Sequence, residues 1–95
     1  MITKKSNTTK PVLRLFVAGK TANGIKALEN VKFICSVVLK GMYKLEVIDI
    51  LKNPKLAREN QILAIPTLIR NSPLPRRNII GNLSNRESIL AELNY

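Results

Sequence analysis

The stretch from Val47 to Leu68, VIDILKNPKLARENQILAIPTL, constrains the fold more than any other part of the chain. It opens with closely spaced β-branched residues, which predict a strand. Asn53 and Pro54 follow, a pair typical of a helix N-cap with proline at the first helical position. Proline cannot donate to a central ladder, so we expect Pro66 at the first residue of a strand. The stretch therefore predicts a strand, a short helix and a second strand in succession.

Turn and helix-boundary residues also divide the rest of the chain into strands and helices. The apolar run Val12 to Ala18 predicts a first strand that is covered on both faces. Ile25 to Leu39 predicts a helix that Thr21 or Asn23 can cap. Its helical spacing predicts that one stripe is buried, formed by Ile25, Leu28, Val31, Cys35 and Val38.

The second half continues this alternation. Leu45 to Leu51 predicts the second strand, and Pro54 to Asn60 predicts the short helix. Pro66 to Arg70 and Asn78 to Gly81 predict a hairpin, and Ser84 with Glu87 predicts a capping box. The terminal helix that follows directs three apolar residues inward, namely Ile89, Leu90 and Leu93.

The predicted order of elements is βαβαββα. A strand–helix–strand crossover is right-handed and makes the first two strands parallel neighbours, whereas the hairpin is antiparallel. We therefore expect an α/β, thioredoxin-like fold with a four-stranded mixed sheet and helices on both faces. Residues 1–10 are polar and are interpreted as a flexible lead-in to one domain, residues 11–95.

The composition argues against several kinds of site. Cys35 is the single cysteine and histidine is absent, so no disulfide can form within the chain and neither a metal site nor a cofactor is expected. Apolar neighbours predict that Cys35 is buried. The N-terminus has no apolar core typical of a signal peptide, and no apolar run is long enough for a membrane span. We expect a cytoplasmic protein, or a stromal one if the chain is plastid-encoded.

Redox catalysis is the activity that a thioredoxin-like fold first suggests. That chemistry needs a reactive thiolate at the N-terminus of the first helix, where the helix dipole lowers the pKa of the thiol. Residues Lys20 to Gly24 occupy this position and include no cysteine. Asp49 lies near the end of the second strand, and we expect it to be solvated or paired with a lysine. We therefore predict no catalytic residue and no enzyme.

The formal net charge of +10 is the feature that favours a nucleic-acid partner. The basic residues are scattered, however, and the aromatic residues do not form the stacking pattern that nucleic-acid-binding sheets use. The aromatic residues in question are Phe16, Phe33, Tyr43 and Tyr95. A basic thioredoxin-like adaptor or a nucleic-acid-associated protein remains the alternative function.

Four blocks of the sequence, in the same order and spacing, resemble the KaiB family of circadian clock proteins. The blocks are Leu15–Gly19, Val47–Pro54, Ile62–Leu68 and Ile79–Glu87. The resemblance implies a non-catalytic regulator that docks on the N-terminal ATPase ring of the hexameric kinase KaiC. It also implies that the protein helps to sequester KaiA and so promotes KaiC dephosphorylation. KaiB proteins have a second, tetrameric ground-state fold in which the C-terminal half packs differently, so a homotetramer is a further expectation.

The resemblance also assigns residues to surfaces. It implies a KaiC-facing surface on the short second helix and its exit (Lys55, Arg58, Glu59, Gln61) and a KaiA-facing surface on the second strand (Lys44, Glu46, Ile48). It implies a cis peptide bond before Pro66. Arg76 and Arg77 resemble the basic pair after the family's proline-rich turn, which either holds phosphate or is a solvated turn.

Two departures from the family concern charge and helix propensity. Ala57–Asn60 reads AREN where many relatives carry consecutive acids, which changes the sign of the predicted contact surface. Ile89–Leu93 contains good helix formers and no glycine. We therefore predict that this chain favours the thioredoxin-like form more than typical relatives do.

Overall fold

A four-stranded mixed sheet organises the structure, a computed structural model that describes residues 11–72, 74–80 and 83–93. Its strands are β1 (Val12–Val17), β2 (Lys44–Asp49), β3 (Thr67–Arg70) and β4 (Arg77–Ile80). The spatial order is β2-β1-β3-β4. β1 is parallel to β2 and antiparallel to β3, which is antiparallel to β4. The predicted thioredoxin-like layout is confirmed. The predicted flexible segment 1–10 and Gly81, the predicted end of the fourth strand, lie outside the described residues.

Three helices accompany the sheet: α1 (Ala22–Phe33), α2 (Pro54–Glu59) and α3 (Arg86–Glu92). α1 continues through a π-helical turn over Ile34–Val38. Thr21 caps α1, as predicted, because its hydroxyl accepts a hydrogen bond from the Gly24 N–H at 3.0 Å.

Asn53 is the N-cap residue of α2 and Pro54 follows it, as predicted. The Asn53 side chain does not cap the helix, however, because its amide donates to the Asp49 carbonyl at 3.2 Å. The predicted cap of α3 is wrong. The N-cap of α3 is Asn85, whose side chain accepts from the Ser88 N–H at 3.1 Å, and not Ser84. Serine and asparagine are both good caps, so packing decides which of the two residues caps the helix. Beginning the helix at Arg86 buries both Ile89 and Leu93.

The main core lies between one face of the sheet and helices α1 and α3. The predicted stripe on α1 is partly wrong, because Ile25 is 46% exposed. The buried positions in its place are Gly24 and Ala27. A Cβ at Gly24 would lie 3.0 Å from the Thr21 hydroxyl that caps the helix, and 3.6 Å from Val17 of β1, which is an ordinary van der Waals distance. The core of buried apolar residues comprises Leu13, Leu15, Val17, Ala27, Val31, Ile34, Cys35, Leu39, Leu68, Ile79, Leu83, Ile89 and Leu93.

The opposite face of the sheet is covered as well. Phe16 and Ile69 alternate with the core residues of their strands and therefore point away from α1 and α3. Both side chains are nevertheless 0% exposed. Because α1 and α3 lie against the other face, α2 in the connection between β2 and β3 is the remaining described helix that can cover these two side chains. The prediction of helices on both faces is thus confirmed.

Asp49 ties the end of β2 to the loop after β1. Its carboxylate accepts hydrogen bonds from the backbone N–H groups of Gly19 and Leu51, each at 3.0 Å. Gly19 has a φ of +62°, a conformation that glycine adopts without strain. These two hydrogen bonds, that of Gly19 first, lower the pKa of the Asp49 carboxyl. The positive charge of Lys52 also lowers this pKa, as the expected lysine would, but it contributes less than the two backbone N–H groups, which the sequence did not predict.

We expect the stabilising effect of Asp49 to depend on pH. A native pKa below the unfolded value of about 3.9 means that the ionised carboxylate stabilises the fold above that pH. The contribution is lost as the pH falls through the native pKa. Asp49→Asn should therefore be less stable than the parent at pH 7, and the difference should shrink below about pH 4. Urea unfolding at several pH values measures this; a difference that does not change with pH would contradict it.

Candidate docking surface

The C-terminal end of α2 forms a tight turn that presents exposed side chains. The Ile62 N–H donates to the Ala57 carbonyl at 3.0 Å, and the Gln61 N–H donates to the Arg58 carbonyl at 3.1 Å. This pair of bonds is the Schellman pattern of helix termination. Gln61 sits at the position where glycine is usual and has a φ of +54°. A residue other than glycine thus holds a left-handed conformation where the chain leaves the helix.

We call the group of residues around this turn the α2 exit surface; its members are Lys55, Arg58, Glu59, Gln61, Leu63 and Arg76. Leu63 is 91% exposed. It borders a shallow depression together with Ala57, Arg58, Gln61 and Ile62. An apolar side chain that contributes so little to the core is available for contact with a partner.

The charges of the α2 exit surface are only partly balanced. Lys55 and Glu59 form an ion pair of 4.0 Å, with side chains that are 81% and 54% exposed. Such an exposed pair contributes little to stability. The side chain of Arg58 is exposed and forms no ion pair within the part of the chain that the structure describes.

Arg76 and Arg77, the predicted basic pair, lie in different environments in the structure. Arg76 donates through Nη2 to the Asn60 carbonyl at 3.2 Å, which brings it to the α2 exit surface. Arg77 is the partner of Arg70 across β3 and β4, and it is half-buried. Successive residues of an extended chain point in opposite directions, which explains the divergence. The interpretation of the pair as one solvated turn is therefore wrong for Arg77.

Arg70 anchors the end of α3. Its side chain is 3% exposed and donates to the carbonyls of Leu93, at 3.3 Å, and Pro75, at 3.0 Å. A cation at the C-terminal end of a helix neutralises the negative end of the helix dipole. Arg70 therefore belongs to the packing of α3, and Arg77, its partner across the two strands, belongs to the sheet and not to the α2 exit surface.

The three residues assigned to a KaiA-like partner share one face of β2. Lys44, Glu46 and Ile48 alternate along this strand, which within the described residues pairs with β1 alone. Glu46 accepts a hydrogen bond from Arg14 Nε at 3.0 Å, and this pair is partly exposed. The outer edge of β2 thus forms a second candidate surface, on a different element from the α2 exit surface.

Pro66 lies one residue before β3, and the Ile65–Pro66 peptide bond is cis. It lines a cleft with Asn23 and Lys26 of α1. This is the end of α1 where redox chemistry would require a thiol. Cys35 lies elsewhere, and its burial raises the pKa of the thiol, which disfavours the reactive thiolate.

Metal ligation and membrane insertion find no support in the described ranges. No group of three His, Cys, Asp or Glu side chains there is placed to hold a metal ion. The helices of the described ranges are all too short or too polar to cross a membrane.

Sequence reasoning missed two features of the α2 exit surface. Leu63 lies in the apolar block Ile62–Leu68, yet it is 91% exposed. Its exposure follows the Schellman turn at Gln61, and the sequence gives no signal of that turn because no glycine marks it. The contact of Arg76 with Asn60 has no local signal, because the sheet brings these two residues together.

Comparisons with known proteins identify relatives of the chain. A model of the KaiB domain matches residues 14–95. The circadian clock oscillator proteins KaiB of Synechococcus elongatus and Thermostichus vulcanus are 54% identical to it over 82 residues. These matches span 86% of this chain and 80% and 76% of the relatives, respectively.

Two solved structures share the fold. The N-terminal domain of Synechococcus elongatus SasA has a TM-score of 0.77 at 20% identity, covering 98% of this chain and 88% of that one. Mitochondrial thioredoxin 3 of Saccharomyces cerevisiae has a TM-score of 0.73 at 15% identity, covering 92% and 79%. At these identities the likeness concerns the fold alone.

Proposed function

This chain belongs to the KaiB family, and we propose that it is a non-catalytic regulator of a circadian clock. In the proposed mechanism the α2 exit surface docks on the N-terminal ATPase ring of a KaiC-like hexamer. The edge of β2 then helps to sequester a KaiA-like protein, if the host has one. Withdrawal of KaiA promotes dephosphorylation of KaiC.

The exposure of the α2 exit surface is the observation that carries this proposal. Lys55, Arg58, Glu59 and Gln61 are all exposed, and Leu63 is almost fully so. The fold gains little from their side chains, so their chemistry is free to serve recognition. The left-handed turn at Gln61 fixes the backbone that presents them.

The edge of β2 supports the second part of the proposal. An edge strand offers unpaired backbone donors and acceptors to an extended segment of a partner. Glu46 is held by Arg14, so this strand has a defined face beside its open edge. A KaiA-like protein that adds a strand here would extend the sheet.

We expect Leu63→Ser to weaken binding to a KaiC-type hexamer by about tenfold or more, the scale of a central apolar contact. Lys32→Ser is the matched control, because Lys32 is exposed on α1, which packs on the opposite face of the sheet. Fluorescence anisotropy with labelled protein and excess hexamer measures both affinities.

The same titration against an RNA oligonucleotide tests the alternative function. RNA binding with a steep salt dependence, combined with no affinity for the hexamer, would overturn the proposal. Equal losses for Leu63→Ser and Lys32→Ser would show that the α2 exit surface is not the contact.

We propose that the thioredoxin-like form is the favoured form of this chain and that a homotetramer in the alternative fold is minor. The support is the anchoring of α3. Arg70 binds the last turn of that helix, and Asn85 caps its first turn. A purified tetramer whose C-terminal segment is an extended strand would contradict this.

A further inference from the structure

Two arginines on the α2 exit surface carry charge that the described part of the chain does not neutralise. Arg58 forms no ion pair there, and Arg76 is bonded to a neutral carbonyl, that of Asn60. The carboxylate next in sequence, Glu59, is already shared with Lys55. The surface therefore has an excess of positive charge at the end of α2.

The negative end of the α2 backbone offsets this excess only in part, because a helix C-terminus carries about half an elementary charge. Arg76 already binds the Asn60 carbonyl at that end, so Arg58 keeps its charge. Arg58 projects from the last turn, and Arg76 reaches the same turn from the β3–β4 connection. The two guanidinium groups therefore approach a partner from two separate chain segments.

An apolar centre accompanies the charges. Leu63 and Ile62 border the same depression as Arg58, with Leu63 91% exposed. An apolar centre with charged groups around it is the usual arrangement of a protein interface. Among the residues that the structure describes, no aromatic side chain lines this depression, so they offer no platform for stacking a nucleic-acid base.

We propose that the α2 exit surface binds an acidic protein segment, with an apolar side chain of the partner against Leu63 and carboxylates facing Arg58 and Arg76. The inference rests on the proposed function only in taking this surface as the docking site; it adds the chemistry of the partner. Guanidinium groups bind carboxylates in a geometry that lysine does not reproduce. Opposite charges at the rim also speed association and make it sensitive to salt.

The test uses substitutions of opposite sign. Arg58→Glu is expected to weaken binding to a KaiC-type hexamer by about tenfold, whereas Glu59→Gln is expected to strengthen it by about two- to threefold. Both side chains are exposed, so neither change should unfold the protein. Lys32→Glu, which makes the same change of charge on α1, is expected to change affinity by less than about twofold.

Salt provides an independent readout. Raising it from roughly 0.05 to 0.5 M should weaken the parent more steeply than Arg58→Glu, since screening removes an attraction that the variant has already lost. Should Arg58→Glu bind the hexamer as well as the parent, or more tightly, the inference is overturned while the proposed docking stands. A loss with Arg58→Glu that is matched by Lys32→Glu also overturns it, since the effect would then be one of net charge.

If the hexamer does not bind at all, the proposed function fails and a peptide decides the inference. The probe is a peptide of alternating glutamate and leucine, with a lysine–leucine peptide of equal length as its control. Amide chemical shifts that move at Arg58, Leu63 and Arg76 with the acidic peptide alone would support the inference. Chemical shift changes at other residues, equal changes with both peptides, or no changes at all would overturn the inference. Binding of RNA that Leu63→Ser leaves unchanged would also overturn it.

Discussion

Phe16→Ala is expected to lower the free energy of unfolding by about 3–5 kcal/mol, the range for removing a buried aromatic ring. Phe16 is fully buried, and it is the largest of the fully buried side chains among the described residues. It lies on the α2 side of the sheet, beside Ile48 of β2 and Thr67 of β3. A domain of this size has about 5–15 kcal/mol of stability in all, so the loss would bring the variant close to unfolding.

Chemical denaturation followed by circular dichroism measures this loss. Phe33→Ala is the matched control, because Phe33 is 38% exposed and its ring contacts Arg86 at the surface. We expect the control to cost about 1 kcal/mol, the scale of a surface cation–π contact with some apolar burial. If Phe16→Ala cost no more than Phe33→Ala, the second layer of the sheet would not be packed as described.

The same substitution connects packing with docking. The ring of Phe16 supports the layer that carries α2, so its removal should loosen the helix whose end forms the α2 exit surface. Arg58 and Leu63 would then be less well ordered, and a partner would have to bear the entropic cost of ordering them. Affinity for a KaiC-type hexamer should therefore fall even where Phe16→Ala is still mostly folded.

The order of the strands and helices was predictable because its signals are local. β-branched runs mark β2 and β3, and proline and glycine separate them from the helices. A parallel crossover followed by a hairpin leaves few arrangements for four strands. The observed strand order β2-β1-β3-β4 is one of those arrangements, and the position of the hairpin beside β1 was not predicted.

Details that depend on packing between distant segments were not predictable. Ile25 looked like a core residue because it is large and aliphatic, but the buried positions on α1 include its neighbour Gly24 and Ala27 instead. The cap of α3 is Asn85 and not Ser84, and the Asn53 side chain at the N-cap of α2 bonds to Asp49 instead of to the helix. Tertiary contacts decide between such near-equal local choices.

The candidate site likewise contains some residues that could be predicted and others that could not. Resemblance to relatives indicated the side chains of α2, since they are contiguous in sequence. The inclusion of Arg76 required the hydrogen bond to Asn60, which joins residues on opposite sides of β3. The exposure of Leu63 required the turn at Gln61, where a residue other than glycine has a positive φ.

A hydrogen-bonded network between α1 and the C-terminal segment underlies the second large effect. The Asn30 side chain is buried, and its Nδ2 donates to the Leu83 carbonyl at 3.0 Å. Its Oδ1 accepts from Arg86 Nε at 2.9 Å, and the same guanidinium lies 3.8 Å from the centre of the Phe33 ring. The Asn30 side chain thus holds both Leu83, in the segment that leads to α3, and Arg86, the first residue of α3.

Asn30→Ala is expected to lower the free energy of unfolding by about 2–3 kcal/mol, because it leaves the Leu83 carbonyl without its donor and removes the acceptor of Arg86. Combining it with Arg86→Ala should cost less than the two single losses together, since both act on one network. Asn23→Ala, at an exposed position of the same helix, should change stability by less than about 0.5 kcal/mol. Denaturation measures all three free energies of unfolding.

The same variant is expected to shift the oligomeric state, which sedimentation velocity reports. Any packing that detaches α3 from α1 loses these bonds, so Asn30→Ala should raise the tetramer fraction if the thioredoxin-like form is the favoured one. Full additivity, or a tetramer that dominates in the parent and is unchanged in the variant, would contradict this role for Asn30.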